Sequence, residues 1–318
     1  MRKTTSSIFC IFISLTLAGL TPLAGGADME SLKKALEDEI RASGAEVSVA
    51  FKNLETPESL LIREKEMVHA ASTMKVPVMI EVFKQAEDGR FRLDNRLVVK
   101  NEFRSLVDGS LFSLRKEDDS DVDIYGLVDT EMTIRELVDR MITVSSNLAT
   151  NILVDLVQAK NVMTTLRELG VRRMKVRRGV EDALAYERGL NNMTDALDLM
   201  KVMEAIASGK AGSPPACEEM IAILERQKFR SGIPAGVPSG VPVANKTGSI
   251  TGMEHDAAIV YPPGQNPYVL VILARRIKSS EEGEKLIARL SRLVYEEATR
   301  PGLARLTKSQ TSGILNKN

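Results

Sequence analysis

Two kinds of apolar spacing occupy different parts of this 318-residue chain, and their order constrains the fold more than any other feature. Period-two alternation runs through "AEVSVAFKNL" and "SLLIREKEMVHA", separated by the turn-forming "ETPE", which predicts an antiparallel hairpin. After the Pro/Gly-rich "GIPAGVPSGVP" it returns in "HDAAIVYPP" and "PYVLVILARR", two strands joined by "PPGQN". Between these regions the spacing is helical. From Thr73 to about Ala86, Val76, Met79, Ile80 and Phe83 share a face, with Pro77 in the first turn, where its missing N–H costs little. Thr133 and Glu136 form a capping-box pair opening "IRELVDRMITV", and helical patterns continue through "NLATNILVDLV", "VMTTLREL", "TDALDLMKVMEAIA" and "ACEEMIAILERQ". A helix over 29–42, ended by Gly44, precedes everything, and "EEGEKLIARLSRLVYEEA" closes it. Strands from the two ends pair in one mostly antiparallel sheet, so the order predicts an α+β fold with terminal helices on the sheet and a helical subdomain alongside. The polar stretch 101–131, with its acidic "EDDSDVD", reads as loops with a short helix.

The first residues read as an address label. Arg2 and Lys3 precede the apolar "IFCIFISLTLAGL", and Ala24, Gly25, Gly26 and Ala27 follow, the pattern of a secretory signal cut near Ala27. The run is shorter than the ~20 residues that span a bilayer. Residues 1–27 are therefore expected to be removed, leaving a slightly acidic periplasmic or secreted protein with no membrane segment. Cys10 departs with the signal, and Cys217 is left without a disulfide partner. Residues 28–300 read as one domain, with 28–71 and 229–300 its α/β part and 72–228 its helical part; 301–318 is a polar tail.

Composition limits the chemistry. The 43 basic and 43 acidic residues cancel, and no long basic run tracks a phosphate backbone, so nucleic acid is not an expected partner. No Trp, 8 Phe and 5 Tyr leave little surface for stacking bases or sugars. Two His and two Cys are too few for an all-protein Cys/His zinc site, and no metal or organic cofactor is expected. A hydroxyl nucleophile in such a chain needs Lys or a carboxylate as its base.

Ser72-Thr73-Met74-Lys75 supplies that pairing. The spacing puts Lys75 on the same face as Ser72 at a helix start, where free N–H groups can polarise an oxyanion. Alone the pattern is weak, since about one S-x-x-K arises by chance in such a chain. Ser31 with Lys34 and Ser113 with Lys116 are two others, one in an ordinary amphipathic helix and one in the polar segment. Ser145-Ser146-Asn147, between helical stretches, and Lys246-Thr247-Gly248, followed by Ser249 ahead of the strand "HDAAIVYPP", raise Ser72 above them.

With these three motifs in this order, the chain resembles the class A serine β-lactamases and the wider penicillin-recognising serine hydrolases. "IPAGVPSGVPVANKTGS" and "HDAAIVYPPGQNPYVLVILA" extend the resemblance over most of the chain after the signal. It implies a five-stranded sheet flanked by helices beside an all-helical subdomain. Activity would be opening of a β-lactam amide through an acyl-Ser72 intermediate, by an enzyme expected to be monomeric and to take a small β-lactam substrate. It also implies roles. Ser72 would be the nucleophile and Lys75 its base or a link in the proton relay. Ser145 would pass a proton to the leaving nitrogen, and Asn147 would hold the substrate side-chain amide. Lys246, Thr247 and Ser249 would anchor the substrate carboxylate, with the N–H groups of Ser72 and Ser249 as oxyanion hole. A DD-peptidase or esterase-like relative, or a penicillin-binding protein that deacylates slowly, is the alternative.

Three departures from the family pattern bear on this. Ser146 stands where Asp is usual, and Ile250 where a small Gly is common. The family's deacylating Glu, followed by Leu-Asn, has no full counterpart in "RRGVEDALAYERGLNN". Glu181 is the candidate because Arg178 precedes it, with Glu187, Asn191 and Asn192 as lesser substitutes. His69, His255 and Cys217 read as structural residues, and the Met residues as core filling.

Overall fold

A computed structural model describes residues 28–300; the signal read over 1–27 and the tail read over 301–318 lie outside the described residues. In chain order the strands are β1 (Glu46–Asn53), β2 (Ser59–Ile62), the short β3 (Val68–His69), β4 (Arg96–Val98), β5 (Phe103–Arg104), β6 (Leu111–Phe112), β7 (Glu131–Thr133) and β8 (Met193–Thr194), then β9 (Val243–Ile250), β10 (Met253–Val260) and β11 (Tyr268–Arg275). The helices are α1 (Met29–Ser43), α2 (Lys75–Glu87), α3 (Ile134–Thr143), α4 (Asn147–Val157), α5 (Ala159–Glu168), α6 (Ala183–Glu187), α7 (Ala196–Ala207), α8 (Pro214–Glu225) and α9 (Ser280–Ala298).

The long strands form a five-stranded antiparallel sheet in the order β2-β1-β11-β10-β9. Side chains alternate between its faces. Val47, Val49, Phe51, Leu270 and Ile272 join Leu36 of α1 and Leu290 of α9 in one apolar layer. Ala50, Ala257, Ile259, Val271 and Leu273 join the helical part in the other. Burial on both faces is why β11, "YVLVILAR", reads as an almost continuous apolar run. Each fully buried Leu, Ile or Val contributes about 1.5–3 kcal/mol.

Local chemistry starts and stops the helices where the sequence says it should. Asp28 caps α1 by accepting from Ser31 N at 3.0 Å, and Gly44 ends it at φ 71°. Thr133 and Glu136 form the expected reciprocal capping box on α3. α2 is buried around most of its circumference, so it runs through the centre of the helical part.

Two expectations need correction. Ser72 lies not in an α-helix but in a 3-10 turn, Ala71–Met74, that leads into α2. Lys246-Thr247-Gly248, ahead of the "HDAAIVYPP" strand β10 as expected, lies in β9, the edge strand. The 101–131 segment also carries more structure than loops: β5 pairs with β6, and two 3-10 turns, Lys116–Asp118 and Val122–Leu127, follow.

Candidate active site

The turn carrying Ser72 is held from several sides. Ala71, the residue before it, has φ 45°, an uncommon conformation for a residue with a side chain. His69 Nδ1 accepts from Ala71 N–H at 3.0 Å, and the His255 ring on β10 donates Nε2–H to the His69 carbonyl at 3.0 Å. Thr73 donates N–H (3.1 Å) and Oγ1–H (2.6 Å) to the Ala70 carbonyl. On the other side β9 comes so close that a Cβ on Gly248 would lie 3.0 Å from Ser72 N and 3.1 Å from Ala71 Cβ. A side chain on the third residue of the Lys-Thr-Gly motif would therefore press the backbone of the Ser72 turn back by a few tenths of an ångström.

Two lysines have no exposed surface, Lys75, three residues after Ser72, and Lys246 on β9. Lys75 Nζ donates to the Ser145 carbonyl (2.7 Å), Ser145 Oγ (3.2 Å) and Asn147 Oδ1 (2.8 Å). Lys246 Nζ donates to Ser145 Oγ at 3.0 Å and to the Thr247 carbonyl at 2.8 Å. The Ser145 hydroxyl thus bridges the lysines, presented there by a backbone at φ 59° between α3 and α4. Burial strips the ammonium groups of water and favours their neutral forms. It brings Lys75 down to about 7, against the pull of Asp119 and Glu181. Lys246 is held well below its ordinary value by burial and by the charge of Lys75, with Asp256 opposing.

Glu181 reaches the same place from the loop between α5 and α7. Reciprocal bonds between Lys175 and Met193 (2.8 and 2.9 Å) close the base of that loop. Arg178 braces its interior through Leu190 O, Gly179 O and Asn191 Oδ1, each at 3.1 Å. Asn151 on α4 grips the residue before Glu181, accepting from Val180 N at 2.6 Å and donating to Val180 O at 3.0 Å. A Cβ on Gly179 would sit 2.1 Å from that Asn151 oxygen, so the close approach requires glycine. Glu181 itself has φ 60°, and its Oε1 accepts from Asn147 Nδ2 at 3.3 Å. Burial, with Asp118 nearby, raises its pKa above the usual carboxylate range against the pull of Lys75 and Arg178.

The sequence-predicted residues therefore converge. Ser72, Asn147, Glu181 and Ser249 line a cleft of about 430 Å³, with Ile250 on its wall. Lys75, bonded to the cleft residue Asn147, is buried together with Ser145 and Lys246, and Thr247 follows Lys246 on β9. Ser249 donates to Glu254 Oε1 at 2.5 Å. Ser146, where Asp was the family expectation, caps α4 by accepting from Ala149 N at 3.3 Å. Of the lesser candidates, Glu187 and Asn192 line the cleft. Asn192 Oδ1 accepts from Arg177 N and Arg178 N, however, and Asn191 holds Arg178. Both serve the loop's shape. Sequence reasoning missed Asp119, which binds the N-terminus of α4, and Tyr186, whose ring lies edge-on to His69 at 6.4 Å. Among the described residues, no three of His, Cys, Asp and Glu converge as a metal ligand set, and no helix is long and apolar enough to cross a membrane.

The brace behind Ser72 makes stability depend on acid. Burial lowers the pKa of His255 from 6.5 to about 4. Above pH 6.5 the ring is neutral in folded and unfolded chains. As pH falls towards about 4 only the unfolded chain takes the proton, so this residue lowers stability across that window by about 3 kcal/mol. Urea midpoints measured from about pH 7 to 4 are expected to fall less steeply in His255→Gln, which has no ring to titrate. Equal slopes in the two proteins would refute the assignment.

Comparison with known proteins agrees with this geometry. The model of the β-lactamase enzyme family matches residues 31–298. The β-lactamase AST-1 of Nocardia asteroides is 31% identical over 178 residues, covering 53% of this chain and 56% of that protein. Among solved structures, the β-lactamase of Sphaerobacter thermophilus superposes with a TM-score of 0.72 at 25% identity, over 85% of this chain and 98% of that one. PBP-A superposes with a TM-score of 0.71 at 26% identity, over 84% and 95%. A Ser72 turn set close against an edge strand, two buried lysines bridged by one serine and a family match over nearly all the described residues lead to one conclusion: the chain belongs to the β-lactamase enzyme family, as a serine hydrolase of class A type.

Proposed function

We propose that this chain opens the amide of a β-lactam through an ester on Ser72 and then hydrolyses that ester. The carrying observation is the unbroken set of contacts Glu181–Asn147–Lys75–Ser145–Lys246, which joins both halves of such a reaction in one cleft. Neutral Lys75 takes the Ser72 proton as Oγ attacks the lactam carbonyl. The N–H groups of Ser72 and Ser249 receive the oxyanion. Ser145 donates its proton to the departing lactam nitrogen and is resupplied from the lysines it bridges. Lys246, Thr247 and Ser249 take the substrate carboxylate, and Asn147 its side-chain amide. Glu181 then removes a proton from water as it attacks the ester, and that proton is passed on to Ser72 Oγ as the ester bond breaks, which restores both groups. A raised carboxylate pKa suits that base.

One observation favours a second reading, slow deacylation as in a DD-peptidase or penicillin-binding protein. No Leu-Asn pair follows Glu181 at the family's interval, and Asn191 and Asn192 are committed to the loop. Steady-state hydrolysis of a chromogenic cephalosporin separates the two. Continuous turnover supports the β-lactamase; a burst of one equivalent that then stalls supports the alternative. Failure of any penicillin to acylate the protein refutes both. The signal pattern at 1–27 supports export to the periplasm or medium.

A further inference from the structure

We propose that Asp119, from the acidic cluster of the 101–131 segment, is a positioning residue for this reaction: it holds Asn147 in place and, through Asn147, sets Lys75 and Glu181. The inference rests on the acyl-Ser72 reading above.

Asp119 is 6% exposed, and its carboxylate is fully engaged. Both oxygens accept from Asn147 N at 3.0 Å. Oδ2 also accepts from Leu148 N at 2.9 Å and from the Tyr125 hydroxyl at 3.1 Å, and Oδ1 from Asp121 N at 3.0 Å. The first N–H groups of a helix have no partner within it. In α4 Ser146 serves the third, Ala149 N, and Asp119 serves the two before it. The negative charge also faces the positive end of the helix dipole. Asn147, the first residue of α4, uses its side chain on the reaction's proton carriers, Oδ1 towards Lys75 and Nδ2 towards Glu181.

The segment is itself anchored. Arg140 on α3 grips Asp121 with both carboxylate oxygens, at 2.8 and 2.9 Å. Ser105 Oγ and Leu106 N donate to Asp182, the neighbour of Glu181, at 2.9 and 2.8 Å. One stretch of chain therefore fixes both the Ser-Ser-Asn turn and the Glu181 loop. A displacement of about 1 Å in such a group costs on the order of 100-fold in rate.

Charge adds a readout that packing alone would not move. Lys75 is faced by Asp119 and Glu181, and by Lys246 across the neutral Ser145; Asn147 is neutral. Glu181 is faced by Asp118, Asp119, Lys75 and Arg178. The Asp119 charge favours the protonated form of both Lys75 and Glu181, so removing it lowers both titrations together.

The test is kcat and KM for a chromogenic cephalosporin from about pH 5 to 9, on the purified full chain and on Asp119→Asn. The expected result is a kcat reduced at least ~10-fold with KM little changed, and an acid limb displaced to lower pH by about half a unit or more. An acid limb coincident with that of wild type overturns the proposal, whatever the loss of stability. Should Asp119→Asn not fold, Asp119→Glu carries the test, because it keeps the charge and moves it by one methylene. Its kcat is expected to fall at least ~10-fold with the acid limb unmoved, and a wild-type kcat there overturns the proposal. Wild-type protein that never acylates refutes the acyl-Ser72 reading, and this one with it, before any variant is measured.

Discussion

Ser72→Ala is expected to lower kcat for a chromogenic cephalosporin by on the order of 10⁴- to 10⁶-fold while leaving the fold intact. Without Oγ no ester can form, so the covalent step disappears rather than slows. The turn itself is retained, because its contacts run through Ala71 N, Thr73 and the histidine pair and none uses the Ser72 hydroxyl. Intact-mass spectrometry after incubation with penicillin is the second readout, taken in the Glu181→Gln background where the ester persists: that protein gains one penicilloyl group, and adding Ser72→Ala abolishes the gain. A variant that still acylates stoichiometrically would move the nucleophile elsewhere. Neither competing Ser-x-x-Lys pattern has the surroundings for it, since Ser31 Oγ is bonded at the surface to Asp28, the cap of α1, and Ser113 is exposed.

The second large effect belongs to Glu181→Gln. Gln keeps the shape and an acceptor for Asn147 Nδ2, but it cannot take a proton from water. Acylation is expected to proceed and deacylation to slow by about 10²- to 10⁴-fold, the usual value of a general base. Turnover then becomes a burst of one equivalent, and the acyl-enzyme accumulates in the mass spectrum. The pH dependence has a definite sign. A base must be ionised, and the Glu181 pKa is raised by burial and by Asp118. Wild-type deacylation is therefore lost as pH falls through a value above the ordinary carboxylate range, whereas the residual rate in Glu181→Gln is flat there. Normal steady-state turnover in the variant would remove Glu181 from the mechanism and leave Glu187, the remaining ionisable candidate on the cleft wall, as the residue to test.

How far the sequence could be read depends on where each interaction partner lies. Strand and helix periodicities are local properties, so β1, β10, β11, α1, α3 and α9 were legible from spacing and capping residues. The three motifs were legible because each is a short contiguous string. Ser72 in a 3-10 turn was not, since that conformation is imposed by β9 packing at Gly248 and by the His69 ring. The two histidines read as structural residues; that they brace the turn carrying Ser72 appears only when β10 is placed beside it. Asp119 looked like one acid among many in "EDDSDVD", because its partners at 147 and 148 lie about thirty positions further on.

The order of apolar spacings and the three motifs determined by themselves the α+β fold, the family resemblance and the identity of Ser72, Lys75, Ser145 and Lys246 as candidates, since covalent spacing and side-chain chemistry travel with the chain. Tertiary structure decided how those groups are tuned and aimed. Only complete burial brings Lys75 to about 7, and only the clamp of Asn151 on Val180 turns Glu181, at φ 60°, towards Asn147. Desolvation and close approach are properties of a folded neighbourhood, and no string of residues carries them before the neighbourhood exists.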